Sequence, residues 1–82
     1  MHVRVVSFAR VREILDEDGS QVYELNDGTT IGAVWEALRA AHPALEPLAR
    51  ATRFARNGAL VAGDTALVDG DELALLPPVG GG

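Results

Sequence analysis

The stretch TIGAVWEALRAAHP, residues 30–43, decides the fold of this 82-residue chain. Its apolar residues recur at the spacing of one helix face, and they are Ile31, Val34, Trp35, Leu38 and Ala41. Thr30 is a favourable N-cap, because its hydroxyl can accept a hydrogen bond from a backbone N–H of the first turn. Pro43 stops the helix just past His42, because proline has no N–H to donate. The stretch therefore predicts one amphipathic helix, with Trp35 in the core.

Strand patterns precede this helix. Val3 to Phe8 is rich in β-branched residues, and its alternation separates Val3, Val5 and Ser7 on one face from Val6 and Phe8 on the other. Ala9 to Leu15 mixes polar and apolar residues, and Asp16 to Gly19 is a charged turn. Gln21 to Leu25 alternates imperfectly through Val22 and Leu25, and predicts a second strand that pairs with the first.

Short elements separated by turns follow the helix. In chain order they are a helical or turn region at Ala44–Ala51 and strands at Thr52–Arg56, Ala59–Val61 and Glu72–Leu76, with turns at Asn57-Gly58 and Asp69-Gly70. In the last strand, Leu73 and Leu75 share one face, and Ala74 and Leu76 share the other. The order ββαββ predicts an α+β fold in which one main helix crosses one face of a small mixed sheet. The first and last strands lying side by side would close that sheet.

Length and composition limit the function. Hydrophobic residues make up 48% of the chain, enough for one thin core. A domain this small buries only roughly 60 to 65% of its unfolded surface, so we expect a partner to supply the walls of any deep reaction site. The net charge is −5, with 12 acidic residues against 7 basic residues that are all arginine and scattered along the chain, which disfavours nucleic-acid binding. The absence of cysteine excludes a thiol nucleophile.

Membrane insertion and an internal catalytic or metal site are not expected. The apolar runs are far shorter than the roughly 18 residues of a membrane helix, and the start has no signal-peptide pattern, so we expect a cytoplasmic protein with no membrane partner. Several polar or glycine-containing positions match no metal, nucleophile or phosphate motif. They are His2, His42, Ser7, Ser20, the acidic run Asp16–Asp18 and the segment Gly28–Gly32.

The chain ends in PPVGGG, residues 77–82. The proline pair stiffens the exit from the last strand, and the glycines leave the tip without side chains. Six extended residues reach roughly 20 Å, so the tail predicts a stalk that can enter a narrow channel of another protein. Ordinary fraying of a chain end is the alternative. Because the chain offers no other reactive group, an active carrier would use its terminal carboxylate.

Three motifs together resemble the small subunit of molybdopterin synthase. They are FARVRE at residues 8–13, DGDE at residues 69–72 and PPVGGG at residues 77–82. The likeness spans the chain, although residues 28–56 match only in helix placement, and Gly80 stands where that family often has a small hydroxyl residue. The resemblance implies one ubiquitin-like β-grasp domain, residues 1–82, with residues 77–82 as a flexible tail.

The resemblance also implies a chemistry. An adenylating enzyme would convert the Gly82 carboxylate to an acyl-adenylate, and a sulfur donor would displace AMP to leave a thiocarboxylate. Gly81 and Gly80 would allow passage through the channel of the large synthase subunit, where the sulfur attacks the pterin precursor. The chain alone would be non-catalytic, with no permanent cofactor or metal and only transient AMP and sulfur on Gly82.

The same resemblance assigns a docking patch to Phe8, Leu60 and Leu76, continued by Pro77, Pro78, Val79 and Gly80. Strand alternation agrees for Phe8 and Leu76, although apolar residues that only cover the second sheet face remain an alternative. Three other functions remain open. These are a sulfur carrier for thiamine, cysteine or tRNA thiolation, a ubiquitin-like modifier joined to lysines, and a binding module with a passive tail.

Overall fold

A computed structural model describes residues 1–15 and 19–78. Its elements in chain order are β1 (His2–Ser7), α1 (Ala9–Leu15), β2 (Ser20–Glu24), α2 (Ile31–Ala41), a 3₁₀ helix (Pro43–Leu48), β3 (Arg53–Arg56), β4 (Ala59–Val61) and β5 (Glu72–Leu76). Asp16 to Asp18 of the predicted turn lie outside the described residues, as do Val79, Gly80, Gly81 and Gly82 of the predicted tail.

The five strands form one mixed sheet in the order β2-β1-β5-β3-β4. β1 and β5 run parallel, with Val5 opposite Leu73 and Ser7 opposite Leu75. The other neighbouring pairs are antiparallel, including the predicted pair of β1 and β2. The predicted adjacency of the first and last strands is therefore confirmed, and the strand that leads into the tail lies at the centre of the sheet.

The core lies between α2 and one face of this sheet. The helix contributes Ile31, Val34, Trp35 and Leu38, and the two central strands contribute Val3, Val5, Leu73 and Leu75. The Trp35 ring meets the Phe54 ring edge-on, with centroids 5.9 Å apart and planes at 69°. The predicted inward faces of the helix and of the last strand are thus confirmed, as is the core position of Trp35.

Both ends of α2 follow the sequence prediction. The Thr30 hydroxyl oxygen accepts a hydrogen bond from Ala33 N–H over 3.2 Å, and the helix ends at Ala41 with His42 as its C-cap. Ala41 itself is exposed, so its predicted place on the apolar face is wrong. Ala41 is the last residue of the helix, and the buried face ends one turn earlier at Leu38.

One further expectation is corrected. The predicted order ββαββ lacks α1, a seven-residue helix that buries Val11 and Leu15. It also shows only two strands after α2, whereas the three stretches predicted there all form strands, namely β3, β4 and β5. In β2, Val22 is 57% exposed, and the half-buried Tyr23 faces the core opposite Val3. No helix in residues 1–15 and 19–78 has the length and apolar character needed to span a bilayer.

Candidate functional site

The tail leaves the domain from the centre of the sheet. β5 ends at Leu76, and its neighbour Leu75 is fully buried between β1 and β3. Pro77 is also buried, whereas Pro78 is exposed. Exposure therefore begins at Pro78, one residue later than the predicted start of the tail. The base of the tail, Leu76 and Pro77, is held by the sheet and the core, and this fixes the direction in which Pro78 leaves the sheet.

An apolar row crosses the outer face of the sheet, which is the face opposite α2. Val6 pairs with Ala74, Ala74 with Ala55, and Ala55 with Leu60, so four strands contribute one residue each. Paired residues on neighbouring strands point to the same side of a sheet. The two central residues are alanines, and the row therefore forms a low, flat surface that ends in the 72% exposed Leu60.

The three predicted docking residues lie on or beside this row. Phe8 is 46% exposed and directly follows Ser7, the partner of Leu75 in the sheet. Leu76 is half-buried and ends β5 at the same end of the sheet, and Leu60 lies on the edge strand β4. The structure thus gathers an apolar surface around the base of the tail. Its role in docking stays a prediction.

The motif DGDE at residues 69–72 fixes the opposite end of β5. The carboxylate of the buried Asp71 accepts hydrogen bonds from Val68 N–H and from the Asn57 side-chain amide, each over 2.8 Å. Burial on its own would raise the pKa of the Asp71 carboxyl, but these two bonds and the positive charge of Arg56 hold that pKa below its usual value. Glu72 N–H donates in turn to the Asn57 side-chain oxygen over 2.9 Å.

Asn57 is the residue whose role the sequence did not reveal. The sequence predicts only a hairpin turn at Asn57-Gly58. Asn57 does adopt the left-handed backbone expected there, with φ at 50°. Its side chain also bridges the β3–β4 turn to β5 through Asp71 and Glu72. This bridge secures the strand that holds the tail, so Asn57 and Asp71 support the site from the far end of β5.

The start of α2 offers no free backbone donors for an anion. Ile31 N–H donates to the Thr65 carbonyl over 3.0 Å, and Gly32 N–H donates to the Gly63 carbonyl over 2.7 Å. A β-carbon at position 32 would lie 3.1 Å from the Gly63 carbonyl oxygen, so glycine permits this close approach. Backbone carbonyls therefore fill the place where a phosphate binds in many nucleotide sites.

A pocket or a metal cluster among the described residues would be a site with chemistry of its own. A shallow depression of about 170 Å³ is lined by His2, Arg4, Val22, Gly70 and Asp71, which is smaller than most small-molecule sites. No group of three His, Asp or Glu side chains within residues 1–15 and 19–78 could hold a metal ion. The candidate site is therefore the base of the tail with the apolar surface around it.

Comparison with known proteins assigns the chain to a family. The model of the ThiS family matches residues 5–82. The chain belongs to the ThiS family. The family match covers the sheet, α2 and the terminal glycines, and it agrees with the β-grasp architecture found here. The resemblance in the three motifs is thereby confirmed at the level of the family.

Three relatives of this ThiS-family chain are informative. It is 38% identical over 84 residues to the molybdopterin synthase sulfur carrier subunit of Chlamydomonas reinhardtii, with all of both chains covered. It is 37% identical over 83 residues to the small archaeal modifier protein 1 of Haloferax volcanii, covering 92% of this chain and 94% of the relative. The crystal structure of that modifier matches with a TM-score of 0.79 at 32% identity over the full length of both chains.

The third relative is seen together with a second subunit. In the complex of subunits 1 and 2 of the molybdopterin-converting factor from Helicobacter pylori, the matching chain is 28% identical, with a TM-score of 0.68 and full coverage of both chains. A relative of this chain therefore forms a complex with a second subunit of the molybdopterin-converting factor.

Proposed function

We propose that this chain is the sulfur carrier subunit of a molybdopterin synthase. One observation carries the proposal: the chain is 38% identical over 84 residues to a molybdopterin synthase sulfur carrier subunit, and its sequence has a diglycine end after the central strand β5. Phe8, Leu60 and Leu76 dock onto the partner. Pro78 and Val79 line the entrance to its channel, whereas Pro77 is buried at the base of the tail. The expected partners are the large synthase subunit, an adenylating enzyme and a sulfur donor, all in the cytoplasm.

The chemistry proceeds in two activation steps at Gly82. A carboxylate oxygen bonds to the α-phosphorus of ATP, and pyrophosphate leaves. A donor at the oxidation level of sulfide then attacks the acyl carbon, and AMP leaves with that oxygen. The product is a thiocarboxylate on Gly82. Because the amides at the start of α2 are already bonded within the chain, the adenylating enzyme provides the ATP site.

Sulfur transfer takes place on the large subunit. Gly80 and Gly81 carry no side chains, so the tip can pass a narrow channel and bring the sulfur to the pterin precursor. The dithiolene product holds two sulfur atoms, so two thiocarboxylates are used for each product. The chain itself contributes the reacting sulfur and its position but no acid or base, which means that it is non-catalytic alone.

A second candidate is a ubiquitin-like protein modifier, because a small archaeal modifier protein is nearly as similar as the sulfur carrier subunit. In that function the adenylated Gly82 would be attacked by a lysine amine of a target and form an isopeptide bond. The chain contains no lysine, so every lysine adduct found would lie on a target protein.

Reconstitution distinguishes the two functions. The protein bearing the thiocarboxylate is mixed with the large subunit from the same genome and the pterin precursor, and dithiolene formation is followed by mass spectrometry. The sulfur carrier function predicts product with return of the free carboxylate. If no product forms, while incubation with the adenylating enzyme, ATP and a cell extract gives isopeptide-linked conjugates, the modifier function replaces it.

A further inference from the structure

One cation lies beside the base of the tail. Arg53 begins β3 and pairs with Leu76, the last residue of β5, in the antiparallel register of these strands. Paired side chains share a face with β-carbons roughly 5 Å apart, so the exposed guanidinium group projects from the outer face next to Leu76. Only Pro77 separates Leu76 from the exposed part of the tail.

The side chain of Arg53 makes no hydrogen bond or ion pair with the other described residues. In residues 1–15 and 19–78, Arg10 pairs with Glu13, and Arg39 pairs with Glu36 and Glu46. Arg56 donates to the Ala66 carbonyl over 3.1 Å. No hydrogen bond or ion pair involves the Arg53 side chain in that part of the chain. Its charge is thus available to another molecule.

The charge at this place opposes the charge of the whole chain. The net charge is −5, which would favour a basic partner surface. On β5, Glu72 lies two residues before Ala74 and on the same outer face. Its carboxylate lies on the row where Glu72 pairs with Arg4. Beside Leu76 the outer face presents Arg53 instead. A partner surface that fits both Leu76 and Arg53 needs an apolar contact with a carboxylate at its border.

We propose that Arg53 docks onto a carboxylate of the large synthase subunit at the mouth of the channel that receives the tail. The inference rests on the proposed function and adds the charge of the contact. The tip of the tail ends in an anionic carboxylate or thiocarboxylate, so a basic lining would suit the depth of the channel. A carboxylate at the mouth of the channel attracts Arg53, and the basic interior attracts the anionic tip. The two attractions act at different depths and together fix how far the tail enters.

Charge reversal at Arg53 tests the inference. Arg53→Glu, Arg53→Gln and the control Arg50→Glu are compared with the unchanged protein in binding to the large subunit from the same genome. Arg50 is also exposed and lies in the turn just before β3, outside the sheet, so the control makes the same change of charge away from the outer face. Thermal unfolding checks that all variants are folded.

We expect Arg53→Glu to lower the association rate about tenfold at 50 mM salt, Arg53→Gln to lower it less, and Arg50→Glu to change it little. At 500 mM salt the difference should largely vanish, because ions screen the pair. Replacing the facing carboxylate of the large subunit by arginine should restore binding of Arg53→Glu. If both charge reversals act equally, the effect is long-range and the contact is refuted. If the unchanged protein does not bind, the proposed function fails and this inference fails with it.

Discussion

The side-chain amide of Asn57 donates a hydrogen bond to the carboxylate of Asp71 over 2.8 Å. This bond joins the β3–β4 turn to the start of β5, the strand that ends at the tail. The Asp71 carboxylate is buried and also accepts from Val68 N–H, so its removal leaves both donors without their acceptor. The bond therefore stabilises the strand that leads to the tail, and this stabilisation depends on pH through the Asp71 carboxylate.

Asp71→Asn should lower the free energy of unfolding at neutral pH by about 1 to 3 kcal/mol, because one donor loses its charged acceptor at a buried residue. The pKa of Asp71 is lowered in the folded protein. Its stabilisation is therefore complete above the unfolded value of about 4 and is lost as pH falls through the folded value. Urea unfolding between neutral and acid pH measures this.

The difference in unfolding free energy between the native protein and Asp71→Asn should shrink below about pH 4. Asp64→Asn serves as the control, since it removes the same charge from an exposed position. Parallel profiles for the native protein and Asp71→Asn would show that Asp71 contributes no pH-dependent stability.

Leu60→Arg should weaken binding to the large subunit without unfolding the protein. The side chain is 72% exposed, so its replacement should change the unfolding free energy by less than about 0.5 kcal/mol. As an interface anchor it should cost at least about 2 kcal/mol, or roughly 30-fold in Kd. Calorimetric binding and thermal melts measure the two effects separately.

Val22→Arg is the matched control for that experiment. Val22 pairs with Arg4 and so lies on the same outer face, is 57% exposed, and belongs to β2 at the sheet edge opposite β4. It should leave Kd unchanged. Equal losses from both variants would mean that partner binding does not depend on the surface around the base of the tail.

Adding one alanine after Gly82 should abolish formation of the thiocarboxylate and leave the melting temperature unchanged. The reacting carbon moves by about 3.5 Å, and about 1 Å of misplacement can already cost roughly 100-fold in rate. Gly80→Ser is the control, because it changes the tail but keeps its length and its terminal carboxylate. Full activity of the extended protein would refute a reaction at the terminal carboxylate.

The sequence predicted the elements whose patterns are long or complete. α2 has eleven residues, an N-cap at Thr30 and a proline just beyond its end, and β5 alternates cleanly through Leu73 and Leu75. α1 was missed because seven residues bury only Val11 and Leu15, too few positions to define a helical period. In β2 the alternation is imperfect and predicted no inward face, whereas the pairing with β1 places Tyr23 opposite Val3.

The candidate site was predictable only in part. The placement of Phe8 followed from strand alternation and from the resemblance, and that of Leu60 from the resemblance alone. The end of the chain predicts the reactive group. The position of Arg53 beside Leu76 and the bridge from Asn57 to Asp71 depend on pairing between distant segments. Local periodicity contains no information on such pairing, so neither contact could be foreseen.

The most direct test of the central claim is the mass of the protein after reaction with its adenylating enzyme, ATP and a sulfur donor. The sulfur carrier function predicts that one oxygen of the protein is replaced by sulfur. Fragmentation should place the change on Gly82, since the chain has no cysteine to carry a persulfide. A preparation active on another ThiS-family carrier serves as the positive control. If that carrier gains sulfur while this chain keeps an unmodified Gly82, the chain is not a sulfur carrier for that enzyme and the account is contradicted.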